Sequence, residues 1–138
     1  MYKIIRDFNP SESDNQILSH ALMAFNEKIF CEKTSPLSIF LKDDTNTIRG
    51  GVVAYLQSDS IHIDIVWVDK AIRNQRYGEK LLRAAEEEAK KYGCASSTVN
   101  TMDFQAEGFY LKYGYKRICE FKNYILGHTR IFLRKELK

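Results

Sequence analysis

The stretch WVDKAIRNQRYGEKLL, residues 67–82, contains the junction on which the fold and its binding site depend. Its first residues end a β-branched, apolar run that predicts a strand, and a polar loop separates this run from a helix beginning near Tyr77. Such a junction directs backbone N–H groups and the positive end of the helix dipole at one point, which favours a pyrophosphate. The loop has a single glycine, Gly78, so it is not a Walker loop, and an ordinary connection that binds nothing is the alternative.

The residues after this loop form the clearest helix pattern in the chain. Over residues 77–92, apolar residues recur at helical spacing, and acidic residues precede basic ones by four positions on the other side. Gly93 suits the left-handed conformation that commonly ends a helix. The pattern predicts a helix with one buried face. That face consists of Tyr77, Leu81, Ala85, Ala89 and Tyr92.

Strand patterns lie on both sides of this helix. The runs that predict strands are residues 2–8, 36–43, 48–57, 60–69, 94–101, 115–124 and 128–137. Helices are predicted at roughly 13–32, 77–92 and 104–114. The order β-α-βββ-α-β-α-ββ is that of an α/β domain with a mixed sheet and helices on its faces.

Length and composition fit one globular domain, residues 1–138, with 44% hydrophobic and 28% charged residues. No apolar run is long enough for a signal peptide or a membrane crossing, so we expect a cytoplasmic protein with no membrane partner. The three cysteines are far apart and lack the spacing of metal ligands. We therefore expect neither a metal site nor a disulfide framework.

Positive charge is concentrated in the last part of the chain. Residues 104–138 carry eight Lys/Arg and three Asp/Glu, whereas the whole chain has a net charge of +3. This region can attract an anionic ligand such as a nucleotide phosphate, although a solvated basic surface is equally compatible. No string of alternating aromatic and basic residues indicates nucleic-acid binding, so we expect no nucleic-acid partner.

The stretch at 67–82 resembles the central motif of the GNAT N-acetyltransferase superfamily. That motif has a strand ending in Val, an Arg or Gln five residues on, then x-x-Gly-x-Gly, and a helix with paired leucines. The residues in those places are Val68, Arg73, Gly78, Leu81 and Leu82. Arg76 stands where the motif has its first glycine, so close backbone approach is hindered while a guanidinium able to bind phosphate is gained.

A second motif of the same superfamily is matched at residues 103–116. Its pattern is N-x-x-A-x-x-(hydrophobic)-Tyr-x-x-x-Gly-(Phe/Tyr). The matching residues are Ala106, Tyr110, Gly114 and Tyr115, with Asp103 in place of the Asn. The likeness covers about residues 48–138, and it implies a mixed, mostly antiparallel sheet of about seven strands with helices on both faces.

The resemblance also implies a place for acetyl-CoA, in a gap where the strands at 61–69 and 94–100 separate. The pantetheine arm would bond to the backbone near Val66 and Val68. The amides of Gln75, Arg76, Gly78 and Glu79 would hold the pyrophosphate, and Arg73 would add positive charge nearby. The full set of expected cofactor-binding residues is Val66, Val68, Arg73, Gln75, Arg76, Gly78, Glu79, Asp103, Ala106 and Tyr110.

The implied reaction is transfer of an acetyl group to a primary amine by direct attack in a ternary complex. Tyr110 aligns with the family tyrosine that faces the sulfur, and would give the departing thiolate a proton or a hydrogen bond. Asp64, and after it His62, are the candidates for the base, because period two puts both on one face of their strand. A solvated polar role for either remains open.

The acceptor amine, a small molecule or a protein, is not identified by the sequence. Trp67 and Asn26 are candidates for its binding side, with core packing and solvent exposure as the alternatives. A catalytically silent domain that binds CoA or a protein partner is the competing function, because Arg76 departs from the motif. The final hairpin also offers a surface for a homodimer.

Overall fold

A computed structural model describes residues 1–30 and 34–138, which form two compact units, Met1–Lys33 and Thr34–Lys138. The first unit contains the helix α1, Glu12–Phe30. Ser11 caps it, because the Ser11 hydroxyl accepts a hydrogen bond from the Asp14 backbone N–H at 3.2 Å. The end of the helix expected at 13–32, and Cys31, lie outside the described residues.

The strand predicted at residues 2–8 is wrong. These residues have an apolar, β-branched composition, but they pair with no strand within the described chain. A strand exists only as part of a hydrogen-bonded ladder, so composition without a partner does not make one. The sheet consequently has six strands rather than about seven.

The second unit is a single sheet with two helices. In chain order its elements are β1 (Ser35–Lys42), β2 (Ile48–Gln57), β3 (Ser60–Val68), α2 (Tyr77–Tyr92), β4 (Ser96–Met102), α3 (Glu107–Lys112), β5 (Lys116–Ile125) and β6 (His128–Glu136). The strands lie in the order β1-β2-β3-β4-β6-β5. Only β3 and β4, which α2 connects, run parallel, so the sheet is mixed and mostly antiparallel as expected.

The core lies between one face of this sheet and the two helices α2 and α3. Strand alternation turns Val52, Ala54 and Leu56 of β2 to that face. Both α2 and α3 contribute to the same cluster, through Leu82 and Tyr110 among others. Of the apolar stripe predicted for α2, Leu81, Ala85 and Ala89 are buried against the sheet, whereas Tyr92 at the end of the helix is 43% exposed.

A β-bulge in β3 shapes the centre of the sheet. Val53 of β2 pairs with Ile65, and the next residue of β2, Ala54, pairs with Ile63, so Asp64 has no partner on β2. On its other side β3 pairs with β4 only from Ser60 to Ile63. The two parallel strands therefore separate at Asp64, which opens a gap between their carboxyl ends.

A buried polar network joins α2 to the sheet. The Lys135 ammonium nitrogen lies 2.8 Å from Oε1 of Glu86, and the Tyr115 hydroxyl donates to Oε2 at 3.2 Å. The same hydroxyl lies 2.8 Å from the Ser97 hydroxyl. Burial raises the pKa of Tyr115, so the phenol stays protonated and can donate. The Glu86 carboxylate is thereby fully paired although its side chain is only 7% exposed.

Replacing Glu86 with alanine should lower the free energy of unfolding by about 2–4 kcal/mol, because it leaves Lys135 without its counterion and Tyr115 without an acceptor. Urea unfolding measures this loss. Glu88→Ala is the matched control on the same helix, since Glu88 pairs with Lys91 at the surface and its loss should cost less than about 0.5 kcal/mol. Equal losses in the two variants would contradict a stabilising role for the buried pair.

Candidate active site

A cavity of about 550 Å³ lies at the end of β3, against α3 and the start of α2. This size is typical of pockets for small ligands. Its residues, apolar inside and charged at the edge, are Val66, Trp67, Val68, Ile72, Arg73, Asn74, Arg76, Tyr77, Gly78, Glu79, Ala106, Phe109, Tyr110, Lys112 and Tyr113. Nine of the residues selected from the sequence are in this set, namely Val66, Trp67, Val68, Arg73, Arg76, Gly78, Glu79, Ala106 and Tyr110.

The loop before α2 presents a row of backbone donors to this cavity. Asn74 and Arg76 have φ angles of 66° and 64°, in the left-handed region, which bends the loop around its own amides. The first hydrogen bond of α2 runs from the Lys80 N–H to the Arg76 carbonyl at 3.1 Å. Within the described residues, the N–H groups of residues 74–79 donate to no acceptor, so they remain available to an anion.

Two arginines flank these amides, and each is held differently. The Arg73 side chain donates from Nε to the Val68 carbonyl at 3.0 Å, which ties the loop to the end of β3. Arg76 occupies the N-cap position of α2 without a capping hydrogen bond from its side chain. Its positive φ explains why glycine suits this position, since a left-handed backbone strains any residue with a Cβ.

An ion network anchors the start of the same loop. Arg49 donates to Asp43 at 2.8 Å and to Asp69 at 3.2 Å, and so connects the turn after β1 to the residue after β3. Asp69 also accepts from the Ala71 N–H at 2.9 Å. These hydrogen bonds, from Ala71 first and then from Arg49, lower the pKa of Asp69. The carboxylate therefore stays charged, and the network holds the loop at neutral pH.

The carboxylate of Glu79 lines the cavity beside the backbone donors of the loop. Neighbouring side-chain donors balance its negative charge. Burial opposes its ionisation, but hydrogen bonds from Arg83 and Tyr113 outweigh burial and lower the pKa of Glu79. Arg83 donates from Nε at 3.0 Å and the Tyr113 hydroxyl at 3.2 Å. Glu79 thus fixes Tyr113, the residue after α3, to the first turn of α2.

Tyr110 is the buried tyrosine of the cavity. It belongs to α3, is 5% exposed, and meets the edge of the Tyr115 ring with 5.6 Å between centroids. Burial raises the pKa of Tyr110 to about 12. In the described part of the chain its hydroxyl has no hydrogen-bond partner, so the proton is available to a bound ligand.

His62 and Asp64 lie outside the cavity lining, on the opposite face of the sheet from α2, where β3 leaves β4. His62 Nδ1 lies 2.9 Å from Oγ1 of Thr98, and Nε2 lies 3.4 Å from Oδ1 of Asp64. The side chains of His62 and Asp64 are 21% and 49% exposed. The structure thus brings the two candidate bases together beside the gap, and adds Thr98, which sequence reasoning missed.

Two further residues selected from the sequence, Gln75 and Asp103, are not part of the cavity lining. Gln75 belongs to the amide row of the loop. Asp103 accepts from the Thr129 N–H and lies beside His128 Nδ1, each at 2.9 Å. Those contacts, Thr129 first, lower the pKa of Asp103. Its carboxylate holds the β5–β6 hairpin and is not directed at the cavity.

Phe109 is a cavity residue that the motifs did not indicate. A Cβ added at Gly78 would come within 3.2 Å of the Phe109 ring, so the glycine allows α3 to approach α2. Phe109 directly precedes the motif residue Tyr110 in the sequence. Its proximity to Gly78, however, results from tertiary packing and cannot be read from the sequence. Sequence reasoning also missed Lys112 and Tyr113, which complete the edge of the cavity.

Within residues 1–30 and 34–138, no helix has the length and apolar character that crossing a membrane requires. In the same ranges, no group of three or more His, Cys, Asp or Glu residues is arranged to hold a metal ion.

The chain is similar in sequence and in structure to known acetyltransferases. The model of the acetyltransferase (GNAT) family matches residues 1–115. A blasticidin-S acetyltransferase from Streptomyces morookaense is 40% identical over 91 residues, which are 65% of this chain and 67% of that protein. An acetyltransferase from Agrobacterium fabrum is 30% identical over 133 residues, 96% of each chain. The crystal structure of an acetyltransferase from Bacillus cereus has a TM-score of 0.80 at 27% identity, covering 96% of this chain and 97% of that one.

Replacing Arg76 with glycine should raise the free energy of unfolding by about 0.5–1 kcal/mol. The left-handed φ of 64° costs a residue with a Cβ about 1 kcal/mol, and glycine removes this strain at some cost in chain entropy. Arg76→Ala is the control, because alanine loses the same guanidinium but keeps the strain. A gain of equal size in both variants, measured by urea unfolding, would assign the effect to charge instead of backbone conformation.

The raised pKa of Tyr110 predicts a specific loss of stability in alkali. Between pH 10 and about pH 12 the folded chain keeps this proton while the unfolded chain releases it. The stabilisation is complete below pH 10 and declines as the pH rises towards 12, by up to about 1.4 kcal/mol per pH unit. Tyr110→Phe should show a shallower decline in urea midpoint over this range. Tyr124→Phe, at an exposed tyrosine, should keep the wild-type slope, and identical slopes in all three proteins would refute the assignment.

Proposed function

We propose that this chain, which belongs to the acetyltransferase (GNAT) family, transfers the acetyl group of acetyl-CoA to a primary amine by direct attack within a ternary complex. It is an acetyl-CoA-dependent acyltransferase. The observation that carries the finer proposal is the cavity, with unpaired amides at one end and the Tyr110 hydroxyl at the other. The family model spans residues of both compact units, which supports one functional domain over residues 1–138.

The cavity supports a binding mode for the cosubstrate. The amides of residues 74–79 match a pyrophosphate, and the guanidinium groups of Arg73 and Arg76 add positive charge beside them. Because the ladder between β3 and β4 ends at Ile63, the gap-facing backbone of residues 64–67 lacks a strand partner. The amide groups of a pantetheine arm would complete those hydrogen bonds as an added strand does.

We assign Tyr110 the role of hydrogen-bond donor to the departing thiolate. With a pKa of about 12, the phenol is protonated at neutral pH. A thiol has a pKa near ~8.5, so complete proton transfer from Tyr110 to a thiolate is uphill by roughly three orders of magnitude. A hydrogen bond in a water-poor cavity carries no such penalty and still stabilises the charge that develops on sulfur.

The attacking amine must lose a proton, and Asp64 is the first candidate to accept it, with His62 second. As the new C–N bond forms and the C–S bond breaks, the sulfur leaves with the electron pair and the amine proton passes to the base. A backbone N–H of β3 beyond Asp64 is suited to polarise the thioester carbonyl. Support for this assignment is the position of both side chains beside the gap between β3 and β4.

The acceptor we propose first is a small-molecule amine. The relative from Streptomyces morookaense acts on blasticidin S by its name and shares 40% identity over 91 residues with this chain. Blasticidin S is therefore the first compound to test, followed by polyamines, aminoglycosides, amino acids and peptides. A protein amine is the alternative acceptor.

Thiol release from acetyl-CoA with this panel of amines tests the proposal. Release that depends on one acceptor, with a product heavier by one acetyl group in mass spectrometry, supports it. Calorimetric titration with acetyl-CoA in parallel separates the alternative, because binding without turnover on any amine would favour a silent CoA-binding domain.

Tyr110→Phe should lower kcat about 10–100-fold and leave the KM for acetyl-CoA almost unchanged. The loss is the scale of a hydrogen bond to a charged group that forms fully only in the transition state. Steady-state kinetics with the best acceptor measure it. Tyr113→Phe is the control three residues away, at the end of the same helix, because the Tyr113 hydroxyl donates to Glu79. Unchanged kcat in Tyr110→Phe would remove this tyrosine from the mechanism.

A further inference from the structure

We propose that the acceptor amine also carries a carboxylate, and that Arg130 of β6 binds this carboxylate on the face of the sheet opposite α2. The inference rests on the proposed function, because it names the chemical class of the acceptor for the same site. Arg130 belongs to neither sequence motif, and the cavity at the start of α2 does not include it. The acceptor that fits is an amino acid whose amine and carboxylate lie several bonds apart.

The guanidinium of Arg130 lacks the partners that an arginine usually has. Its Nε is buried, and no acceptor among the described residues lies within hydrogen-bond distance of it. Within residues 1–30 and 34–138 the guanidinium also forms no ion pair, whereas Arg134 on the same strand is bonded to Glu136 at 2.8 Å. A partly buried cation without a counterion is unfavourable, and a bound anion would remove that cost.

Aromatic side chains support this guanidinium from one side. Its central carbon lies 4.7 Å from the centre of the Tyr124 ring, and the Phe121 ring stacks on Tyr124 with 6.2 Å between centroids. Stacking on an aromatic ring uses the flat face of a guanidinium and leaves the N–H groups at its edge free to donate. Two such N–H groups match the two oxygens of a carboxylate.

Strand alternation places Arg130 on the same face as the candidate bases His62 and Asp64. The next residue of β6, Ile131, is buried in the core, so the side chain of Arg130 points to the face opposite α2. The register partner of Arg130 is Met102, the last residue of β4, in the part of β4 that no longer pairs with β3. A ligand in the gap is therefore separated from β6 by β4 alone.

This position sets the distance between the amine and the carboxylate of the acceptor. In the strand order β6 follows β4, and a ligand in the gap occupies the place of a strand on the other side of β4. Neighbouring strands lie about 4.8 Å apart, so the gap and β6 are about 10 Å apart. An α-amino acid is too short to reach both positions, whereas a chain of about five methylene groups has the required length.

The anion we infer belongs to the acceptor and not to the cosubstrate. The unpaired amides of the loop, together with Arg73 and Arg76, lie at the start of α2 and offer a place for the phosphates there. Arg130 lies on the other face of the sheet. On the face with the candidate bases, a guanidinium selects an acceptor by its negative charge.

Two matched pairs of amines test the inference by kinetics. In the first pair, 6-aminohexanoate and 6-aminohexanamide, the compounds differ in the charge of the group that Arg130 would bind. With wild type we expect kcat/KM for the acid to exceed that for the amide about 10–100-fold, the scale of a charge-assisted hydrogen bond. The second pair, glycine and glycinamide, is too short to reach Arg130 and should show no preference for the acid.

Substitutions assign the preference to one side chain. In Arg130→Met, which keeps the stem and removes the charge, we expect the ratio of acid to amide to fall to about one. Arg130→Lys should give an intermediate ratio, because an ammonium lacks the paired donors. Arg134→Met is the control on the same strand and face, and it should keep the wild-type ratio since Arg134 is bonded to Glu136. A wild-type ratio near one, or an equal fall in Arg134→Met, overturns the inference.

NMR of the arginine Nε–H groups measures binding to the free protein. The buried Nε–H of Arg130 should exchange slowly with water, and an Arg130→Lys sample identifies its signal. We expect this signal to shift with 6-aminohexanoate and not with 6-aminohexanamide. No shift with the acid, or an equal shift with CoA alone, overturns the inference. If wild type acetylates neither compound, this titration decides, and if it acetylates no amine at all, the proposed function fails.

Discussion

The parallel pairing of β3 with β4 stops after Ile63 and Val99, and the site depends on that stop. The bulge at Asp64 turns β3 away from β4, which opens the gap and leaves strand backbone without a partner. One face of the opening meets α3 and the loop before α2. The other face carries His62, Asp64 and Thr98. A continuous ladder would have satisfied the same backbone groups internally and left no room for a ligand between the strands.

The loop before α2 is a second place where backbone groups, here N–H donors, have no partner within the described chain. Left-handed residues at Asn74 and Arg76 bend the chain, and the N–H groups of residues 74–79 have no acceptor within the described residues. Strain at Arg76 is the cost of a guanidinium beside those donors. Rigidity comes from elsewhere, since Arg73 is bonded to the Val68 carbonyl and Glu79 holds Tyr113. Stable packing around a deliberately unpaired backbone is a common property of binding sites.

Much of the fold and of the candidate site could be predicted from the sequence, because the patterns that indicate them are local. The helix at 77–92, the strands around it and the loop between them follow from periodicity, and Tyr110 from a motif. The prediction that failed depends on a pairing between residues far apart in the chain. Residues 2–8 have strand composition but no ladder partner in the described chain. The contacts of Asp103, which matches a motif position, are made to the β5–β6 hairpin. Thr98 could not be found, because its contact with His62 requires the register between two strands that 27 intervening residues, 69–95, separate in the chain.

The link from Arg49 to Asp43 and Asp69 has a consequence for altering the protein. Hairpin tips are the usual places for tags, insertions or circular permutation, since they tolerate extra residues well. Here the tip after β1 contributes a carboxylate to an ion network that ends at the start of the loop before α2. An insertion at 43–47 would therefore disturb that loop, whereas the described contacts give Leu126 and Gly127, at the tip between β5 and β6, no connection to it.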